Sequence, residues 1–206
     1  MILFFLLIID FIPAFVTVVV TIFIAELTDK DALLLLTLAT RIKSWTAFAA
    51  GSTAFTITSA IIVSVGYFLI RVVPIFWVRL VGGFVMIGFG VWGYLRKEGD
   101  NKEEKRLISR TLKNSEWSVF LGAVSLLILL DLAGDATEVL TIVYVAKFAN
   151  AVLVFLGAVV ALVLASGVET LLGRRLGKLL TAKRIKLLSL VVFLIIGTII
   201  VATTLA

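Results

Sequence analysis

Apolar residues along this chain fall into six long runs, 11–41, 46–70, 77–95, 117–147, 151–173 and 185–206, separated by short polar interruptions. About 20 helical residues cross a ~30 Å hydrocarbon core, so four of the runs predict single membrane helices. The first and fourth runs hold 31 residues each, roughly 46 Å at 1.5 Å per residue. These two must tilt, bend or break. The N-terminal stretch MILFFLLIID has an apolar run but no positive region before it. It therefore reads as the outer start of the first membrane helix rather than as a signal peptide. Residues 96–116 are mostly charged and polar and read as a solvated loop.

Polar positions between the runs alternate in charge. The segments 41–43, 96–113 and 174–186 carry fifteen Lys and Arg, whereas Arg71, Arg79 and Lys147 are the three on the other side. The side richer in Lys and Arg is expected to face the cytoplasm, which places both termini outside and the central loop inside. A shift of 106 residues lays Asp29 on Asp135, Leu34 on Leu140, Arg41 on Lys147 and Gly51 on Gly157. Three spans per half make the halves enter the membrane from opposite sides, the inverted-repeat plan of secondary transporters. The expected fold is an all-α integral membrane protein with six transmembrane helices as two inverted three-helix repeats. Residues 1–95 form the first repeat, 96–116 the charged cytoplasmic loop and 117–206 the second repeat.

Composition narrows this further. Hydrophobic residues make up 62% of the 206 and the mean hydropathy is +1.20, against about 45–50% apolar residues in soluble domains. A net charge of +6 does not imply nucleic acid here, because the basic residues sit in the loops where membrane topology accounts for them. Cysteine and histidine are absent. That removes disulfides, the soft ligands for zinc or copper and any Ser–His pair for intramembrane hydrolysis. No cofactor is expected, and a prokaryotic plasma membrane is the expected location.

The apolar runs contain seven acids that topology does not explain: Glu26, Asp29, Asp31, Asp131, Asp135, Glu138 and Glu169, with only Lys30 opposing them. A charge at a bilayer centre costs roughly 2.5–3.5 kcal/mol on insertion scales. Glu26 and Asp29 are three apart, and Asp131, Asp135 and Glu138 step by four and then three, so each set lines one helical face. Thr137 and Thr141 place hydroxyls beside them. Such groups are tolerable when a cation, protons or water neutralise them. Metal binding releases protons from carboxylates, which suits a cation/proton exchanger, and an all-oxygen donor set suits Ca²⁺, Mn²⁺ or Mg²⁺. Glu169 lies five residues before Arg174 and reads instead as a surface ion-pair partner.

With these motifs in hand, the sequence resembles the Golgi-type calcium/manganese–proton exchangers, the cation/calcium exchanger 2 family of the LysE superfamily. That family carries E-x-G-D-[KR]-[ST] once in each half. The first copy here reads Glu26-Leu27-Thr28-Asp29-Lys30-Asp31, and the second reads Leu132-Ala133-Gly134-Asp135-Ala136-Thr137. Thr28 replaces the glycine and Asp31 the hydroxyl residue. Leu132 stands at the second glutamate position and Ala136 at the second basic position, with Asp131 and Glu138 flanking that copy. The resemblance implies that Glu26, Asp29 and Asp135 bind the ion, with Asp131, Glu138, Asp31 and Thr137 as further candidates. It also implies export of a divalent cation, Mn²⁺ or Ca²⁺, in exchange for protons. The partners would be the cation, protons and the lipid bilayer; a homo-oligomer is compatible with the sequence. Two other functions fit the same residues: export of another metal or small solute, and a non-transporting membrane scaffold.

Overall fold

The computed structural model describes the backbone of residues 2–28, 30–95, 116–132, 136–179 and 182–206. Side chains are described for 11–28, 35–40, 42–95, 117–132, 136–171, 184 and 186–206. The charged loop expected over 96–116 lies outside these residues except at its last position. Eight helices are present among the described residues and no strand: α1 Ile2–Thr28, α2 Lys30–Arg41, α3 Ser44–Val72, α4 Ile75–Leu95, α5 Glu116–Asp131, α6 Ala136–Phe148, α7 Ala151–Leu179 and α8 Ala182–Leu205. Five of these helices are long and apolar enough to cross a membrane, and α5 with α6, bent by 66°, forms a sixth candidate span.

The second 31-residue run resolves its excess length by bending: α5 ends at Asp131 and α6 leaves at 66° to it, inside the acid-bearing stretch. In the first run residue 29, between α1 and α2, lies outside the described residues. The α1 helix is continuous through Pro13. Proline has no N–H to donate, and the hydroxyl of Thr17 donates to the Pro13 carbonyl at 2.7 Å. Connections between spans are short. Pro74 precedes α4 and its carbonyl accepts from the N–H groups of Trp77 and Val78. Asn150 caps α7, its Oδ1 accepting from the Leu153 N–H at 3.0 Å, a standard way to satisfy a free helix-end donor.

Lipid is as apolar as the core, so helices in a membrane associate through close packing of small residues and polar contacts. The α4–α8 pair shows this most clearly. A Cβ on Gly197 would lie 2.7 Å from the Gly83 carbonyl, so the two backbones touch there. Arg79 adds a hydrogen bond to the Thr203 carbonyl at 3.1 Å. Around this pair the halves are interlaced. The α3 helix of the first half packs on α5, α6 and α7 of the second, and α7 packs on α1, α2 and α3 of the first. Each half thus packs against the motif helices of the other.

Candidate functional site

The bend in the second long span decides what its helix end can do. The last four carbonyls of a helix lack intrahelical partners, and the end carries about half a negative charge. The α5 helix ends at Asp131, which is 5% exposed, and an acid at a helix C-terminus is electrostatically unfavourable unless something positive meets it. In the first motif Glu26 is completely buried.

The other candidates divide. Thr137 is buried at the start of α6, and its carbonyl accepts from the Thr141 hydroxyl at 2.7 Å. Glu138 is half-buried in the first turn of α6, where the positive helix end favours an acid on structural grounds alone. Asp29 and Asp135 lie outside the described residues, as does the side chain of Asp31. Among the described residues no three acids are gathered closely enough to hold a metal ion. The described residues therefore supply a buried acid in each motif stretch, Glu26 and Asp131, without completing a ligand shell.

Two features escaped the sequence reading. Glu169 is not at the surface: it is 2% exposed on α7, and neither carboxyl oxygen has a hydrogen-bond partner among the described residues. The surface-pair expectation misjudged it because Arg174 follows in sequence. The informative signal was the stripe Ala158, Ala161, Ala165, Ser166, Glu169, Thr170, small or polar at three- and four-residue steps and buried throughout. The second feature is Ser189 of α8, whose hydroxyl donates to the Thr28 carbonyl. This contact ties the end of α1 to the scaffold pair, and no local sequence signal announces it.

Hydroxyls elsewhere serve the helices that carry them. Thr56 donates to the Ser52 carbonyl, Ser166 to that of Leu162 and Thr170 to that of Ser166. Tyr144 of α6 reaches across the halves, its phenol donating to Thr21 Oγ1 of α1 at 2.7 Å.

Residues 14–101 and 119–206 each match the family model described as divalent cation/proton antiporter GDT1. No curated protein and no solved structure matches the chain.

Proposed function

We propose, because this chain belongs to the GDT1 family of divalent cation/proton antiporters, that it exports Mn²⁺ or Ca²⁺ from the cytoplasm in exchange for protons. The ion would bind between the two motif helices. What supports this most is that the second long span bends by 66° inside its acid-bearing stretch, and that Glu26 and Asp131, one in each motif stretch, are both buried.

Glu26 and Asp131 would supply carboxylate oxygens, with Asp29 and Asp135 of the two motifs as further ligands. Hydroxyls and the freed end carbonyls complete an all-oxygen set, suited to hard cations. A chain without histidine or cysteine offers nothing softer among its side chains beyond its two methionines. Coupling follows from charge. Carboxylates crowded in a low-dielectric centre are neutralised by protons or by a divalent cation, so binding one expels the other. Rocking of one repeat against the other would expose the site to each side in turn. Both termini outside and the central loop in the cytoplasm complete the reading.

Reconstitution tests it. Liposomes carrying the protein and a pH-sensitive dye should show proton flux on an Mn²⁺ or Ca²⁺ gradient. Asp135→Asn should reduce that flux to background while the protein remains folded. Wild-type flux in the variant would reject Asp135 as a ligand, and no cation-dependent flux in the wild type would reject exchange of these ions.

A further inference from the structure

We infer that Glu169 is a cation-binding carboxylate of the exchanger, contributed by α7, a helix that carries neither motif; this rests on the antiporter reading above. The position has no acidic counterpart in the first half, where the 106-residue shift lands on Val63. Nothing in the two motifs calls for it.

Placement comes from close approaches along α7. The α1 helix passes at Gly157, where an added Cβ would sit 2.7 Å from Val18. Nine residues further along α7, Ser166 meets Gly51 of α3, and Leu35 of α2 meets the same glycine. The segment of chain between Val18 and Leu35 contains the first motif, Glu26 to Asp31. Glu169 is three residues beyond Ser166 and on its face of the helix, next to the junction of α2, α3 and α7. It lies on the side of that junction nearer the basic segments of the chain.

The neighbouring hydroxyls point to a cation rather than to a structural hydrogen bond. Ser166 donates its proton to Leu162 at 2.8 Å, and Thr170 donates its proton to Ser166 at 2.7 Å. A hydroxyl has a single proton, so neither can donate to Glu169. Both leave oxygen lone pairs beside it. A buried carboxylate with acceptors next to it and no hydrogen-bond partner among the described residues is costly unless something positive joins it. A divalent cation taking Glu169 with one or both hydroxyl oxygens satisfies all of them at once. Position on the basic-segment side makes this the point where an ion from that face first meets a carboxylate from α7.

Titration calorimetry with MnCl₂ and CaCl₂ on the purified full chain in detergent decides this. The wild type is expected to bind at least one of the ions. Glu169→Gln should weaken that binding at least tenfold, and Glu169→Asp should stay within about threefold of wild type. Unchanged binding in a folded Glu169→Gln variant overturns the inference and leaves the antiporter reading standing. A wild type that binds neither ion overturns both. Should Glu169→Gln fail to fold, labelling the wild type with a hydrophobic carbodiimide provides the answer. Mn²⁺ or Ca²⁺ should protect Glu169 at least fivefold, as read by peptide mass spectrometry, and labelling that ignores the ion overturns the inference.

Discussion

The two halves of this molecule repeat one plan and execute it with different side chains. In the first half Glu26 occupies the final turn of α1 and is completely buried. Its counterpart in the second half is Leu132, which is 40% exposed, while the acid stands one position earlier at Asp131, 5% exposed. The inward-facing position at the end of α5 is therefore 131, and the acid has followed the buried face rather than the sequence register. What the repeat preserves is a buried carboxylate in the motif stretch.

The most severe test of that equivalence removes charge in the two motif stretches. Glu26→Gln and Asp131→Asn should each lower cation-driven proton flux by a hundredfold or more, about 2.7 kcal/mol. Leu132→Ala should stay within twofold of wild type. Flux that survives Asp131→Asn and fails in Leu132→Ala would show that position 132 keeps the role despite its leucine.

A smaller effect separates Gly51 from Gly157, which the repeat superposes. A Cβ on Gly157 meets the β-branched stem of Val18, with Cγ1 at 2.7 Å and Cβ at 3.0 Å. A Cβ on Gly51 meets the Leu35 Cδ2 at 2.8 Å, the end of a side chain that can turn away. Overpacking a filled core costs about 1–3 kcal/mol. Gly157→Ala should fall near the upper end, about 2–3 kcal/mol, and Gly51→Ala near 1 kcal/mol, measured as loss of unfolding free energy in detergent. Equal costs would mean that α1 yields as easily as one leucine.

Much of this architecture was legible before any coordinates. Run lengths required the first and fourth spans to tilt, bend or break because 31 residues exceed the bilayer, and the fourth does bend, by 66°. The interlacing of the halves was not legible. It depends on which helices approach closely, through Gly51, Gly157 and Gly197, and a glycine in sequence does not name its neighbour. Glu169 was misread for a related reason: proximity to Arg174 is a one-dimensional fact, whereas burial is decided by α2 and α3 packing over that face. Leu132 and Asp131 teach the same lesson, since one helical step of about 100° decides which of two adjacent residues faces inward.

The Thr28 carbonyl of α1 is anchored to α8, and the matching positions offer no equivalent anchor to α5. Ser189 of α8 donates to the Thr28 carbonyl. The 106- or 107-residue shift lands on Gly83 or Gly82 of α4, which have no side chain to offer. Ser189→Ala should cost about 1 kcal/mol, the usual net worth of one hydrogen bond. It should also make amide exchange just after residue 28 faster, with no change after residue 132. Equal acceleration at both places would show that the scaffold holds the two ends alike.

The smallest effect concerns the clasp between the motif helices. On the side bearing the N-terminus, α1 meets α6 through Tyr144 and Thr21, hydrogen-bonded at 2.7 Å. The repeat maps this pair onto Leu38 and Leu127, both buried and both apolar. The scaffold reinforces the polar side: α8 packs on α1 and α4 on α6, whereas the counterpart pairings, α8 on α2 and α4 on α5, are at most marginal among the described residues. Side-chain hydrogen bonds inside membranes average about 0.6 kcal/mol. A double-mutant cycle of Tyr144→Phe and Thr21→Val should therefore return a coupling near 0.6 kcal/mol in unfolding free energy. Zero coupling would leave the two sides held by packing alone, and the polar clasp would cease to distinguish them.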